Sequence, residues 1–259
     1  MHKLSVVIIT LNEEENISRC LASVKAIADE IVVVDGFSKD KTTEICKSFG
    51  CKIITREFKG FSDQKQFAAD QATNDWVFSL DADEEVTEAL REEISVLFSK
   101  ESIPDSAYRT PRSLFYLGRI LRFSGVGAKP VLRIFNKHKG RFDGAPVHEE
   151  ILVEGSVGTL KNRMIHYSYR NLSHHLQKID IYTTHAAKEY RQKGKHFSKI
   201  WVVFKFPVTF VAYYLFRGGF LDGYPGFMWS FLAAFYGSVK LAKTIEMDNK
   251  KTKAELSDV

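Results

Sequence analysis

Cysteine is scarce in this 259-residue chain, with Cys20, Cys46 and Cys51 the three present. An odd number, with no C-x-x-C spacing and no histidine close by, argues against both a disulfide framework and a structural zinc site. A reducing compartment is expected. No secretory leader is expected in the first residues either: MHKLSVVIITLNEEEN has one lysine, a short and mostly apolar run and then acidic residues. It lacks the length and cleavage site of such a signal, so a strand is expected there. The turn after that run, Leu11-Asn12-Glu13-Glu14, contains no glycine, which removes the Gly-rich phosphate loop that a Rossmann dinucleotide enzyme or methyltransferase needs. No apolar run is expected to make a comfortable spanning helix either. Lys199, Lys205 and Pro207 interrupt one, and residues 226–239 are too few.

What is present is ordinary folding material, 44% apolar and 27% charged, enough to bury one substantial core. The net charge of +5 is unevenly spread. Residues 1–162 hold 22 basic and 25 acidic side chains, net −3, whereas residues 163–259 hold 15 and 7, net +8. A mildly acidic first part and a basic, aromatic-rich last part point to different partners, with an anionic one, nucleic acid or a membrane surface, for the second.

Over the first hundred residues short β-branched runs alternate with helical patterns, the form of βαβ units and a mostly parallel sheet. Strands are expected at 4–10, 31–34, 52–55 and 76–80. Helices are expected from Asn12, with a capping box to Glu15, and then at 42–49, 64–72 and 86–98. Mixed short strands and loops follow from Tyr108 to about Tyr169. In open parallel sheets ligands lie beyond the carboxyl ends of the strands, which singles out Thr10 to Glu13, Asp35 to Ser38, Lys65 and Asp81 to Glu85.

Asp81-Ala-Asp83 ends an apolar strand and places two carboxylates on one side, a set suited to Mg²⁺ or Mn²⁺ shared with substrate phosphates. Alone, a D-x-D also fits a helix start, with Glu84 and Glu85 complementing the dipole. A haloacid-dehalogenase-like phosphatase uses the same pattern, but on its first strand and with Thr or Val where this chain has Glu85.

Three segments, SVVIITLNEEENISRCLASV, IVVVDGFSKDKT and DQKQFAADQATNDWVFSLDADEE, together resemble the glycosyltransferase family 2 enzymes of GT-A fold. The resemblance implies that Thr10, Asn12 and Glu13 line a nucleotide pocket, that Asp35 meets base or ribose, and that Lys65 lies near base or diphosphate. It also implies that Asp81 contacts ribose or metal, that Asp83 ligates the metal, and that Glu85 is a further metal contact. The chain departs from the family at Gln66 and at Phe37-Ser38-Lys39. Further on, YLGRILRFSG, LRIFNKHKGRFDGAPVHEEI and FLDGYPGF resemble the lipopolysaccharide-core glucosyltransferase branch. Within that branch the V-H-E segment supplies the base, here Glu149, with His148 or Glu150 the alternatives; a carboxylate or imidazole must take the acceptor hydroxyl's proton. Arg109, Arg112, Arg119, Arg122 and Arg133 suit phosphate or carboxylate recognition, though each also fits a solvated surface. His166 is read as facing metal or diphosphate, or as a core histidine.

The expected organisation is a GT-A catalytic domain at 1–170, a helical, aromatic and basic membrane-surface region at 171–245, and a polar, disordered tail at 246–259. Trp201, Tyr213, Tyr214, Trp229 and Tyr236 interleave with lysines and Arg217, the composition of a monotopic segment on anionic lipid; a helical pair packed on the domain is the alternative. The expected function is an inverting transfer of a hexose, glucose or a relative, from a UDP-sugar to a hydroxyl of a lipid-linked saccharide. A divalent cation (Mn²⁺ or Mg²⁺) would assist at the cytoplasmic face of the bacterial inner membrane, with no nucleic acid partner. The rivals are a polyprenyl-phosphate sugar synthase and a non-catalytic sugar-nucleotide or lipid-binding module.

Overall fold

The computed structural model describes residues 2–145 and 149–257, with side chains through residue 248. In chain order the elements are β1 (Leu4–Thr10), α1 (Ile17–Val24), β2 (Glu30–Asp35), α2 (Thr42–Ser48), β3 (Lys52–Thr55), α3 (Phe61–Asp70), β4 (Trp76–Asp81), β5 (Glu84–Val86) and α4 (Glu88–Ser99). Then follow β6 (Ala107–Tyr116), β7 (Arg119–Ile120), β8 (Lys129–Asn136), β9 (Gly140–Phe142), β10 (Ile151–Val153), β11 (Val157–Thr159), β12 (Met164–His166), α5 (Leu172–Gln192), α6 (Lys199–Val211) and α7 (Gly223–Ser257). The chain divides into two compact units: Met1–Leu114 with Ala128–Tyr167, and Phe115–Gly127 with Ser168–Val259. A boundary was expected at residue 170; the first unit's last segment ends at Tyr167, and residues 115–127 belong to the second unit.

In the first unit the strands run in the order β3-β2-β1-β4-β8-β6-β12-β5, with β11 beside β6. β3, β2, β1 and β4 are mutually parallel, and β8 enters antiparallel to β4. β1 is apolar from Val6 to Ile9 because both its faces are covered. Leu4, Val6 and Ile8 pack with Ile17, Leu21, Leu90 and Ile94 on one side, while Val7 joins Val32, Val77, Ala68 and Phe135 on the other. Burying each such Leu, Ile or Phe contributes about 1.5–3 kcal/mol, enough for the core to hold the sheet while its carboxyl edge stays polar.

Two expectations for this unit change. Asn12 does not cap α1; Ile17 and Asn16 donate their amides to the Glu13 carbonyl, and the helix starts at Ile17. Asn12 has φ 54°, a left-handed conformation that asparagine tolerates, and its side-chain oxygen accepts from the Lys39 amide. Glu84–Val86, expected to lead into a helix, instead forms β5 paired with β12, and α4 begins at Glu88 behind a Thr87 cap.

The second unit is helical. Tyr116 is buried among Tyr169, His175 and Trp229, and its hydroxyl lies 2.9 Å from His175 Nδ1. Burial, with Lys178 and His174 adding to it, pushes the His175 imidazole down to about 4, so the ring is neutral and polar only through its nitrogens. α6 continues into a π-helical turn, Ala212–Phe216, and a 3₁₀ turn, Gly219–Asp222, leads into α7. Contrary to the expectation that no run makes a spanning helix, the 18 residues Lys199–Phe216 are long and apolar enough to cross a membrane by length and composition. None of α6 is buried. A Cβ at Gly226 would lie 2.0 Å from the Gly219 carbonyl oxygen, so this turn closes only with glycine. The backbone of α7 stays helical through Ser257, where a disordered tail was expected from residue 246. Residues 240–257 are rich in Lys, Ala, Glu and Leu, good helix formers, and contain neither glycine nor proline.

Candidate active site

The sheet's carboxyl edge is assembled from the ends of β1, β2 and β4. Asp35 closes β2, is 1% exposed, and accepts from Ser38 through both oxygens, the amide at 2.9 Å and the hydroxyl at 2.5 Å. The Ser38 hydroxyl in turn accepts from the Asn12 amide at 2.8 Å. Phe37, between them, is held at φ 68°, a strained conformation for a bulky residue, with its ring exposed. Asp35 and Asn12 are thus already engaged in shaping the two loops. The Thr10 hydroxyl at the end of β1 is buried with no hydrogen-bond partner among the described residues, and the Glu13 carboxylate accepts from the Asn16 amide group.

β4 delivers Asp81, whose carboxylate is gripped on both sides. Lys65 Nζ lies 2.7 Å from Oδ1 and an Arg133 guanidinium nitrogen 2.7 Å from Oδ2. Burial alone would raise the Asp81 pKa, but Lys65 and Arg133 outweigh it and hold the carboxyl well below the usual range. The same Arg133 nitrogen is 2.7 Å from Glu84, whose side chain is fully buried and reaches Arg112 at 3.2 Å and the Asp81 amide at 3.0 Å. On its other side Lys65, only 2% exposed, lies 2.7 Å from Glu149 Oε1. Charges therefore alternate along Arg112, Glu84, Arg133, Asp81, Lys65 and Glu149. Neither the buried Lys65 nor the buried Glu84 is left without an opposite charge.

Asp83 points elsewhere. Its Oδ2 lies 3.2 Å from His166 Nε2, both side chains being 20% exposed. Glu85, expected as a further metal contact, is instead the acceptor of the Tyr167 hydroxyl at 2.6 Å, with Arg19 stacked over the Tyr167 ring. Among the described residues no group of three or more His, Cys, Asp or Glu side chains is arranged to hold a metal. One carboxylate and one imidazole, adjacent and partly open to solvent, nevertheless fit a divalent cation that takes its remaining ligands from substrate oxygens and water.

Of the site residues read from the sequence, the structure brings Lys65, Asp81 and Glu149 together and places Asp83 with His166. Glu150 is exposed, and its carbonyl accepts from the Asp143 amide. His148 lies outside the described residues. Sequence reasoning missed the partnership of Arg133 with Glu84. A near-continuous run such as Val131 to Phe135 with one arginine inside it was the available signal, since a strand buried on both faces keeps such a charge only if it is paired.

Comparison with known proteins shows the family. The family model described as glycosyl transferase family 2 matches residues 5–101. An uncharacterized glycosyltransferase of Rickettsia typhi is 31% identical over 100% of this chain and 92% of its own length. The lipopolysaccharide core biosynthesis glycosyltransferase LpsC of Rhizobium meliloti is 30% identical over 98% of this chain and 96% of its own. Among solved structures, S. aureus TarS in complex with UDP overlaps partially, with 23% identity, a TM-score of 0.36, and coverage of 45% of this chain and 37% of that one. With near-complete relatives at this identity and the family's segments lying along the carboxyl edge of the sheet, the chain belongs to glycosyltransferase family 2 and is a glycosyltransferase built on a GT-A type fold.

Proposed function

We propose that the protein is an inverting glycosyltransferase that moves a hexose, glucose or a close relative, from a UDP-sugar to a hydroxyl of a lipid-linked saccharide of the lipopolysaccharide-core class. The observation that carries this reading is the Lys65 bridge, 2.7 Å to Asp81 and 2.7 Å to Glu149. It brings a carboxylate 84 residues away in sequence to the edge where a nucleotide sugar is expected to bind. The full-length similarity to a protein named for lipopolysaccharide core biosynthesis supports the acceptor class.

In this reading the Thr10 hydroxyl, unpartnered among the described residues, offers a hydrogen bond to the nucleoside, while Asn12, Glu13 and Asp35 set the walls of its pocket. Asp83 and His166 would hold the divalent cation, which when bound offsets negative charge on the departing diphosphate. Lys65 carries positive charge at the same edge without exposure to water, where an ammonium acts on a developing charge more strongly than in solvent. Glu149 takes the proton of the acceptor hydroxyl as it attacks the anomeric carbon, and a single displacement inverts that centre. The second unit, with its unburied α6, rests on the anionic cytoplasmic surface of the inner membrane, where such an acceptor is found.

Incubation with UDP-glucose, Mn²⁺ and either a deacylated lipopolysaccharide core or a polyprenyl phosphate tests the assignment. The expected product is a saccharide whose new anomeric centre, read by NMR coupling, is opposite to that of the donor. Transfer to polyprenyl phosphate alone, or retained configuration, would overturn it.

A further inference from the structure

Two sequence segments singled out above, YLGRILRFSG and FLDGYPGF, take no part in the donor edge. The structure joins them within the second unit. Asp222, fully buried, accepts the Arg122 amide at 3.1 Å through one oxygen and the Phe123 amide at 2.9 Å through the other. Arg119 donates to the Asp222 carbonyl at 3.4 Å, and the Ser124 amide donates to the Arg217 carbonyl at 2.8 Å. Gly125 lies against the Arg217 side chain, and the guanidinium stacks over the Tyr213 ring at 4.3 Å. The side chains of Arg119 and Arg217 and the backbone of Arg122 are thereby held around one turn, and all three arginine side chains are exposed.

Their surroundings select the ligand. Residues 193–245 carry seven basic side chains and one carboxylate, and that carboxylate is Asp222, buried with both oxygens occupied. The turn therefore presents cationic charge with no acidic counterweight of its own. Phe123 and Phe216 are exposed next to Arg122 and Arg217 in sequence, Phe216 by 84%, and Tyr224 is exposed two residues after Asp222. Apolar rings next to guanidinium groups match a lipid, whose acyl chains take the former and whose phosphate takes the latter in bidentate hydrogen bonds.

We infer that Arg119, Arg122 and Arg217 form a binding site for the phosphate of anionic membrane lipids, built where the two segments meet at the turn between α6 and α7. The site deepens the membrane-surface reading given above and rests on it: it fixes the second unit to the bilayer at this turn. Long-range attraction by the net basic second half brings the protein near any anionic surface, but only fixed guanidinium groups read the phosphate itself.

Vesicle flotation of the full-length protein tests this with three kinds of vesicle: phosphatidylcholine alone, or phosphatidylcholine mixed with phosphatidylglycerol or phosphatidic acid. The wild type is compared with Arg119→Gln/Arg122→Gln/Arg217→Gln and with Lys47→Gln/Lys100→Gln/Lys161→Gln, which removes equal charge from exposed positions in the first unit. Thermal melts confirm that both variants fold. The arginine variant is expected to lose partitioning onto both anionic vesicles on the order of 100-fold, as three juxtamembrane charges imply, with the lysine variant close to wild type. Equal losses in the two variants, or no loss in the arginine variant, overturn the site while leaving the membrane reading in place. A wild type that floats with no vesicle overturns both.

Discussion

Replacing Glu149 with Gln is expected to lower kcat for transfer to a hydroxyl acceptor on the order of 10²-fold or more while leaving nucleotide binding nearly unchanged. Gln keeps the shape of the side chain and an oxygen for the Lys65 hydrogen bond, so the site stays assembled and only the proton-accepting capacity is lost. A matching Glu150→Gln substitution is expected to be close to neutral, because Glu150 is exposed and takes part in the local structure through its backbone. Steady-state kinetics on both variants checks the assignment. A phosphate acceptor arrives already ionised and needs no base, so an active Glu149→Gln enzyme would move the protein to the polyprenyl-phosphate class. A large loss in Glu150→Gln instead would move the base by one residue.

Arg133→Met is expected to destabilise the first unit by about 3–5 kcal/mol, the cost of removing one partner from a buried ion pair. The substitution leaves the fully buried Glu84 with Arg112 alone, at 3.2 Å, and takes one of two cations from Asp81. Chemical denaturation measures the loss. Adding Glu84→Met to Arg133→Met removes the stranded charge and is expected to recover much of the stability, a non-additivity that marks the two as one network. The pH dependence follows from the depressed Asp81 pKa. A carboxylate held below its unfolded value contributes stability above that value, about 3.9 for Asp, and loses it as the pH falls further, so the gap between wild type and Arg133→Met narrows in acid. A cost under about 1 kcal/mol for Arg133→Met would mean the chain of charges behaves as a solvated surface array.

The parallel half of the fold was legible because its signals are local. β1 and β4 are apolar runs covered on both faces, and each ends in a polar residue at the ligand edge, so the strand ends and the candidate residues were read together. β5 was not legible: three residues paired to β12 some eighty positions away show no periodicity of their own, and Glu84-Glu85 looked like a helix start. Asn12 followed the capping-box spacing, yet its left-handed backbone and its bond to Lys39 depend on a loop that approaches only in the folded chain. The same distance hid the neighbours of Asp81. Spacing placed it beside Asp83 as a contact to ribose or metal, and only the folded chain brings Lys65 and Arg133, from α3 and β8, against its two oxygens and His166 beside Asp83. In the second unit the length of α7 was missed because polarity was read as disorder, although a polar helix former without glycine or proline extends a helix readily.

Calorimetric titration of UDP and of GDP, each with and without Mn²⁺, into the wild type and Asp83→Ala would test the donor site. Tight binding of UDP that requires both Mn²⁺ and Asp83, with GDP weaker, is the expected result and makes this edge a metal-assisted UDP-sugar site. Binding of neither nucleotide, or UDP binding indifferent to the metal and to Asp83, would contradict it.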